Sequence, residues 1–284
     1  MTENLYIGTS GFTAAGWSRT FFPRKLPTRD YLGYYASRFN TVELMSTLYG
    51  PPATSTVKNW YSQTPKEFVF AVKMPRKITH EAALLDCSKD MADFFRVMDG
   101  LKEKLGPMLF KFSSRDIKLF GSCDYFLDRL LPLLKNLSHV YRFALSVPEE
   151  WISPQFINTI RNHNVSLAFG DDGWLEKSTL HDRSSDLVTS DFVYIRWVGE
   201  GRKMEQRNKA WDRIIVNRRE AILGWTEFIS KELLPRSKVF AYATNHYEGH
   251  APGTAESFRS LLADGKNNAR SQSTLFEQPF FRGG

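Results

Sequence analysis

Short apolar runs recur along the chain, and longer amphipathic stretches fill most of the gaps between them. Such short, nearly continuous runs are typical of strands that are buried on both faces of a parallel sheet. They predict strands at residues 5–9, 41–44, 68–73, 108–112, 142–146, 166–169, 192–197 and 239–242.

The stretches between these runs show the spacing of amphipathic helices. Eightfold alternation of strand and helix predicts an α/β protein with a single closed (β/α)8 barrel of the TIM type. A doubly wound open sheet is the alternative, and the number of apolar runs favours the barrel. The predicted helices cover residues 29–38, 88–104, 125–135, 154–164, 207–233 and 254–262.

The composition changes after Leu262. Residues 263–273 are polar and have no apolar periodicity, which predicts a flexible connector. Hydrophobic residues then return at the end of the chain. We therefore predict a barrel domain at residues 1–262 and a flexible tail at residues 263–284.

Polar residues follow the predicted strands at the end where barrels of this type carry their functional groups. Glu43 and Lys73 could alternatively form a buried ion pair with a purely structural role. As candidate catalytic residues we take Glu43, His80 and Asn245. As candidate phosphate or ligand contacts we take Ser10, Tyr49, Lys73, Lys111 and Arg196.

Histidines and acids near the predicted strand ends raise the question of a metal. His80, His246 and His250, with Glu43 and Asp171, have suitable donor atoms. However, no HExxH motif is present, and hydrogen-bonded loop histidines are the simpler interpretation. We predict no metal ligands and leave a divalent metal open as the cofactor.

The charge and cysteine content narrow the class of partner. A net charge of +7 and a pI of about 9.3 favour an anionic partner such as nucleic acid, DNA included, or a phosphorylated substrate. Two widely separated cysteines predict neither a zinc site nor a disulfide framework. We see no secretion signal and no apolar stretch of the roughly 18 residues that a membrane span needs, so we expect a cytoplasmic protein without a membrane partner.

Several strand-end segments together resemble the YecE-like family, also called domain of unknown function 72. The likeness rests on residues 7–12, 34–49, 64–80, 104–112, 192–199 and 243–252. It implies a TIM barrel that has been likened to the endonuclease IV and sugar-phosphate isomerase group, and hence a nuclease, another hydrolase or an enzyme with a sugar-like ligand.

The resemblance also assigns individual residues. Glu43 matches the acid of the family's TVE segment, and Tyr49 matches the tyrosine that follows it. Lys73, Thr79 and His80 match a K…TH segment, Arg196 matches a Y-x-R strand, and Asn245 lies in the last loop. The chain departs from the family at four positions, which puts the family chemistry in question: Met45, Ser146, Pro148 and Val198.

The end of the chain resembles peptides that bind DNA sliding clamps such as PCNA. Gln272, Leu275 and Phe276 match the bacterial pattern without a gap, whereas Phe280 and Phe281 supply the aromatic pair of the PCNA pattern two residues late. A peptide of this kind places apolar side chains in a pocket of the clamp. The alternative is a latch that folds back onto the barrel.

Together these features predict a clamp-interacting TIM-barrel protein that acts in DNA replication or repair, as an endonuclease-like phosphodiesterase. Two alternatives remain open. One is a metabolic enzyme that acts on a small sugar or phosphorylated compound, and the other is a clamp-bound adaptor without catalytic activity.

Overall fold

Eight parallel strands form the centre of the fold in the computed structural model, which describes residues 4–135, 137, 139–170 and 186–276. Hydrogen bonding joins them in the order β1-β8-β7-β6-β5-β4-β3-β2, so neighbours in sequence are neighbours in the sheet. This order confirms the predicted barrel and excludes the doubly wound sheet. The strands are β1 Leu5–Thr9, β2 Thr41–Leu44, β3 Val69–Lys73, β4 Leu105–Lys111, β5 Phe143–Ser146, β6 Ser166–Gly170, β7 Phe192–Trp197 and β8 Lys238–Ala243.

Helices surround the strands, and in the described part of the chain none of them is long and apolar enough to cross a membrane. The predicted helical stretches correspond to observed helices except as noted below, and the helix at residues 54–63 was not predicted. The helices are α1 Trp17–Thr20, α2 Tyr31–Arg38, α3 Thr54–Gln63, α4 Ser88–Met98, α5 Ile117–Phe120, α6 Cys123–Leu134, α7 Pro154–Asn162, α8 Gly201–Arg207, α9 Arg219–Phe228, α10 Asn245–Glu248 and α11 Ala251–Phe276.

Side chains complete the seam between β1 and β2, where the barrel closes. A single bridge joins Ser10 and Glu43 at the carboxyl end of the seam. Deeper in the seam, the Tyr35 hydroxyl accepts a hydrogen bond from the Thr9 amide at 2.8 Å and donates to the Thr41 carbonyl at 3.0 Å. One buried phenol therefore satisfies backbone groups that the strands do not pair directly.

Large and small side chains share the inside of the barrel. Tyr194 and Tyr242 contribute their rings from β7 and β8, while Ala71, Ala144 and Ala168 lie on β3, β5 and β6 in the same buried cluster. Side chains alternate along a strand, so the residue two positions beyond each of these also faces inward. This alternation directs the next inward layer, nearer the carboxyl ends of the strands, into the barrel mouth.

The segment predicted as one helix over residues 207–233 is interrupted. Helix α8 ends at Arg207, and α9 begins only at Arg219. The Asn208 side-chain amide donates to the carbonyls of Arg213 and Gly249, both at 3.1 Å. These hydrogen bonds hold residues 208–218 as a loop. The spacing of apolar residues in the sequence does not reveal them.

The last helix, α11, runs from Ala251 to Phe276 and so exceeds the predicted stretch 254–262. Residues 263–273, which we predict as a flexible connector, are helical in the structure, and their flexibility stays a prediction. The segment has no proline and only one glycine, so nothing in it stops a helix that α11 has already nucleated. The division into barrel and tail stays a prediction.

Candidate functional site

Glu43 lies at the centre of the barrel mouth, and its side chain is fully buried. The Tyr194 hydroxyl donates to Glu43 Oε1 at 2.8 Å, and Ser10 donates to Oε2. Arg196 Nε lies 2.9 Å from Oε1. Because Ser10 directly follows β1 while Tyr194 and Arg196 lie on β7, the carboxylate is held from two sides.

This environment decides the charge of Glu43. Burial acts to raise the pKa of its carboxyl, but the Arg196 charge and the hydrogen bonds from Ser10 and Tyr194 outweigh burial, so the pKa lies below its usual value. A carboxylate with so many donors is a weak base. The arrangement favours positioning of Arg196 by Glu43, and the predicted acid–base role of Glu43 stays a prediction.

Arg196 is itself only 6% exposed. One terminal nitrogen donates to Glu43 Oε2 at 3.2 Å and contacts Met45 Sδ at 3.8 Å. Met45 is one of the positions that depart from the family pattern, and here its thioether packs against the guanidinium. These contacts hold the guanidinium beside Glu43 at the mouth.

Lys73 ends β3 and is half-buried beside this ion pair. Burial, then the Arg196 charge and more weakly Lys111, lower the pKa of its ammonium to about 8 and together outweigh Glu43 and Asp116, which act in the opposite direction. Charge effects weaken with distance, and the charges of Glu43, Lys111 and Arg196 all act on Lys73. The structure therefore brings the predicted residues Glu43, Lys73, Lys111 and Arg196 together.

His80 and Asp116 form a second pair at the mouth, with 3.5 Å between His80 Nε2 and Asp116 Oδ1. On the other side of the ring, His80 Nδ1 lies 2.7 Å from the Thr79 hydroxyl. Burial lowers the pKa of His80, and the Lys73 charge acts in the same direction, against Asp116. The imidazole is therefore neutral at neutral pH and able to accept a proton.

Two residues of the mouth were missed in the sequence, Asp116 and Tyr194. Asp116 closes a capping box, in which its side chain accepts hydrogen bonds from the Ser113 amide at 2.7 Å and hydroxyl at 2.8 Å. The S-x-x-D spacing just after β4 was the signal that could have found it. For Tyr194, the signal was its place two residues before Arg196 on β7, which puts both on the inner face.

Asn245 and Tyr49 are two further residues that the sequence predicts as part of the site. Asn245 Oδ1 accepts hydrogen bonds from Trp17 Nε1 at 3.2 Å and from the Ala251 amide at 2.9 Å. It thus fixes the start of α11. Tyr49 ends a 3-10 turn after β2 and is 87% exposed. Their catalytic and ligand-binding roles stay predictions.

The proposed metal donors do not converge in the described residues. His246 Nε2 lies 3.0 Å from Glu205, and His250 Nε2 lies 3.2 Å from the Thr20 hydroxyl. Asp171 lies outside the described residues. Within the described ranges, no group of three His, Cys, Asp or Glu side chains is close enough to hold a metal ion. Ammonium and guanidinium groups dominate the described mouth, a donor set that suits an anion and does not fit a divalent cation.

A separate cavity of about 320 Å³ lies at the opposite end of the barrel, near the starts of the strands. Asp99, Tyr141 and Arg142 belong to its wall, and no sequence-predicted site residue does. Barrels of this type place their chemistry at the carboxyl ends of the strands. We therefore take the charged mouth, and not this cavity, as the candidate site.

Comparison with known proteins agrees with the strand-end motifs. Residues 6–278 match the family model described as "Protein of unknown function DUF72". The chain belongs to the DUF72 family. It is 33% identical over 102 residues to the UPF0759 protein YecE of Escherichia coli K12, a match that covers 36% of this chain and 35% of YecE. The chain thus aligns with about a third of that curated relative.

Solved DUF72 structures share the fold over most of their length. A DUF72 family protein of Thermotoga maritima has a TM-score of 0.69 and 25% identity, covering 91% of this chain and 99% of that one. A DUF72 family protein of Enterococcus faecalis has a TM-score of 0.70 and 18% identity, covering 91% of this chain and 95% of that one. These likenesses support the TIM-like barrel.

Proposed function

We propose that the barrel mouth binds a phosphorylated ligand through Lys73, Lys111 and Arg196. The observation that carries this proposal is the set of three cations in one partly buried mouth, where the described carboxylates that act on Lys73 are Glu43 and Asp116. These groups leave one net positive charge, which favours an anionic group such as phosphate. Ammonium groups and a guanidinium are the side chains that proteins use most for phosphate.

Small residues beside the cations favour a small phosphorylated sugar or a similar compound. Ser146 lies level with Lys111 on the neighbouring strand, and Gly170 lies level with Arg196. Small residues at these inward positions leave room beside the cations. The loss of the family's larger polar residue at Ser146 therefore makes space for a ligand.

Lys111→Met tests the proposal. We expect the affinity for glyceraldehyde 3-phosphate and for inorganic phosphate to fall about tenfold to a hundredfold, because one charge-assisted hydrogen bond contributes roughly 1.5–3 kcal/mol. Isothermal titration calorimetry at low salt measures this change.

Lys231→Met is the matched control. Lys231 carries the same charge but lies in an exposed pair with Glu227, with 2.7 Å between its Nζ and Glu227 Oε1. We expect its removal to leave phosphate affinity unchanged. Equal losses in both variants would indicate only general attraction of an anion to a basic surface, and the proposed site would be wrong.

A second candidate function uses the same mouth on DNA. Here the phosphate is a phosphodiester, and the end of the chain tethers the protein to a DNA sliding clamp (PCNA). Gln272, Leu275 and Phe276, which fall in the last turns of α11, support this proposal by their pattern. Phe280 and Phe281 lie outside the described residues. Tethering would raise the local concentration of a weakly binding mouth.

Deletion of residues 271–284 tests the tether. Loss of clamp binding in a pull-down, with phosphate binding at the mouth retained, is the expected result. If the clamp is bound equally well without these residues, the tether is wrong. If clamp binding is lost on deletion while neither form cleaves DNA, the protein is a clamp-bound adaptor.

A further inference from the structure

We propose that Lys73 forms an imine with the carbonyl carbon of a phosphorylated aldose or ketose bound in the mouth. This inference deepens the function proposed above and rests on it. Lys111 and Arg196 would hold the phosphate, which leaves the ε-amino group of Lys73 to act as the nucleophile on the sugar carbonyl.

The first support is the way Lys73 is held. The Thr47 hydroxyl donates to the Lys73 carbonyl at 2.7 Å and accepts from the Lys73 amide at 3.1 Å. The backbone of Lys73 is thus fixed from a neighbouring turn. Its Nζ, in contrast, has no hydrogen-bond or ion-pair partner among the described residues, although the side chain is half-buried.

A second buried lysine shows what a structural role looks like in this protein. Lys104 is 3% exposed, and its Nζ donates to the carbonyls of Tyr61 and Thr64 at 2.6 and 2.7 Å and to the Thr64 hydroxyl at 3.1 Å. All three donors of that ammonium are satisfied. Lys73 has no comparable set of acceptors, so a structural role does not account for its position.

The electrostatics of the mouth supply the neutral amine that the reaction needs. Burial, Arg196 and Lys111 oppose the charge on Lys73 and outweigh Glu43 and Asp116, so its pKa of about 8 lies below that of a free lysine. Lysines next to other cations or in desolvated sites are the ones that form Schiff bases. The same cations that bind phosphate therefore also activate the nucleophile.

We assign the proton transfers to His80, which lies at the same mouth and whose pKa the Lys73 charge lowers. Attack by Nζ forms the C–N bond and moves the carbonyl electrons to oxygen. The oxygen takes one proton from solvent, and His80 takes one from the new ammonium nitrogen, which gives a carbinolamine. His80 then returns its proton to the hydroxyl, the C–O bond breaks, water leaves, and a protonated imine remains.

The test is borohydride trapping with dihydroxyacetone phosphate. A ketone reacts slowly with surface lysines, so a reduced adduct on Lys73, located by peptide mass spectrometry, is the expected result. The yield should rise with pH to a plateau above about 8. A free lysine side chain would plateau only above about 10.4.

Lys73→Arg separates this proposal from the one on which it rests. Arginine keeps the positive charge but cannot form an imine, so the adduct should disappear, while phosphate binding, measured separately on the natural protein and on Lys111→Met, reports on the site itself. Phosphate binding without any adduct on Lys73 in the natural protein, or an adduct spread evenly over surface lysines, would overturn the imine and leave the phosphate site standing. A natural protein that does not bind phosphate would overturn both.

Discussion

Arg196→Met is expected to lower the free energy of unfolding by about 3–5 kcal/mol, the usual cost of removing one partner from a buried ion pair. Glu43 is fully buried, and Arg196 supplies the opposite charge at 2.9 Å. Methionine fills much of the same space without a charge, so the carboxylate would remain buried with only the hydroxyl donors of Ser10 and Tyr194. Urea unfolding at neutral pH measures the loss.

Lowering the pH should shrink this difference. In the natural protein the pKa of Glu43 is depressed, so its contribution to stability is present above the unfolded pKa of about 4.3 and is lost as the pH falls through the folded value. In the Arg196→Met variant, burial raises the pKa of Glu43. Its carboxyl therefore takes up a proton at a higher pH than in the natural protein, and this removes the cost of burying an unpaired charge. The double variant Glu43→Gln, Arg196→Met is the control, and we expect it to regain part of the loss. A loss below about 1 kcal/mol for Arg196→Met at neutral pH would contradict the buried pair.

Gly8→Ala is expected to destabilise the barrel by more than about 3 kcal/mol or to prevent folding, since overpacking against rigid backbone costs more than ordinary core overpacking. A Cβ atom at Gly8 would lie 2.0 Å from the Thr41 carbonyl oxygen and 2.8 Å from the Tyr35 hydroxyl. Both groups belong to the β1–β2 seam, so the clash would separate the strands that close the barrel. Thermal unfolding followed by circular dichroism measures the effect.

Gly33→Ala provides the matched control. Its Cβ would lie 3.6 Å from the Gln63 carbonyl oxygen, an ordinary contact, and Gly33 lies within helix α2. Because alanine is the better helix former by up to about 1 kcal/mol, we expect unchanged or higher stability. Equal behaviour of the two variants would show that the seam tolerates a side chain at Gly8, contrary to the packing described.

The barrel could be predicted because each of its strands is a short apolar run that is visible in the local sequence. Parallel strands buried on both faces are short and apolar, and a barrel brings their carboxyl ends to one rim. That geometry is why Glu43, Lys73 and Arg196, far apart in sequence, were expected to be close, and the structure places them close together.

The remaining features depend on contacts that spacing does not encode. Asn245 has the sequence position of a site residue, but Trp17 and the Ala251 amide use its side-chain oxygen. Asp116 comes from a turn after β4 and lies at the mouth beside His80. Hydropathy also could not show whether residues 263–273 would extend α11, because polar helices and polar connectors share the same composition.

The most direct test of the phosphate site is a crystal structure of the protein soaked with dihydroxyacetone phosphate. We predict phosphate density at the barrel mouth within hydrogen-bonding distance of Lys111 and Arg196, with the sugar carbon chain directed toward Lys73. Density in the opposite cavity, beside Tyr141 and Arg142, with an empty mouth, would contradict the account.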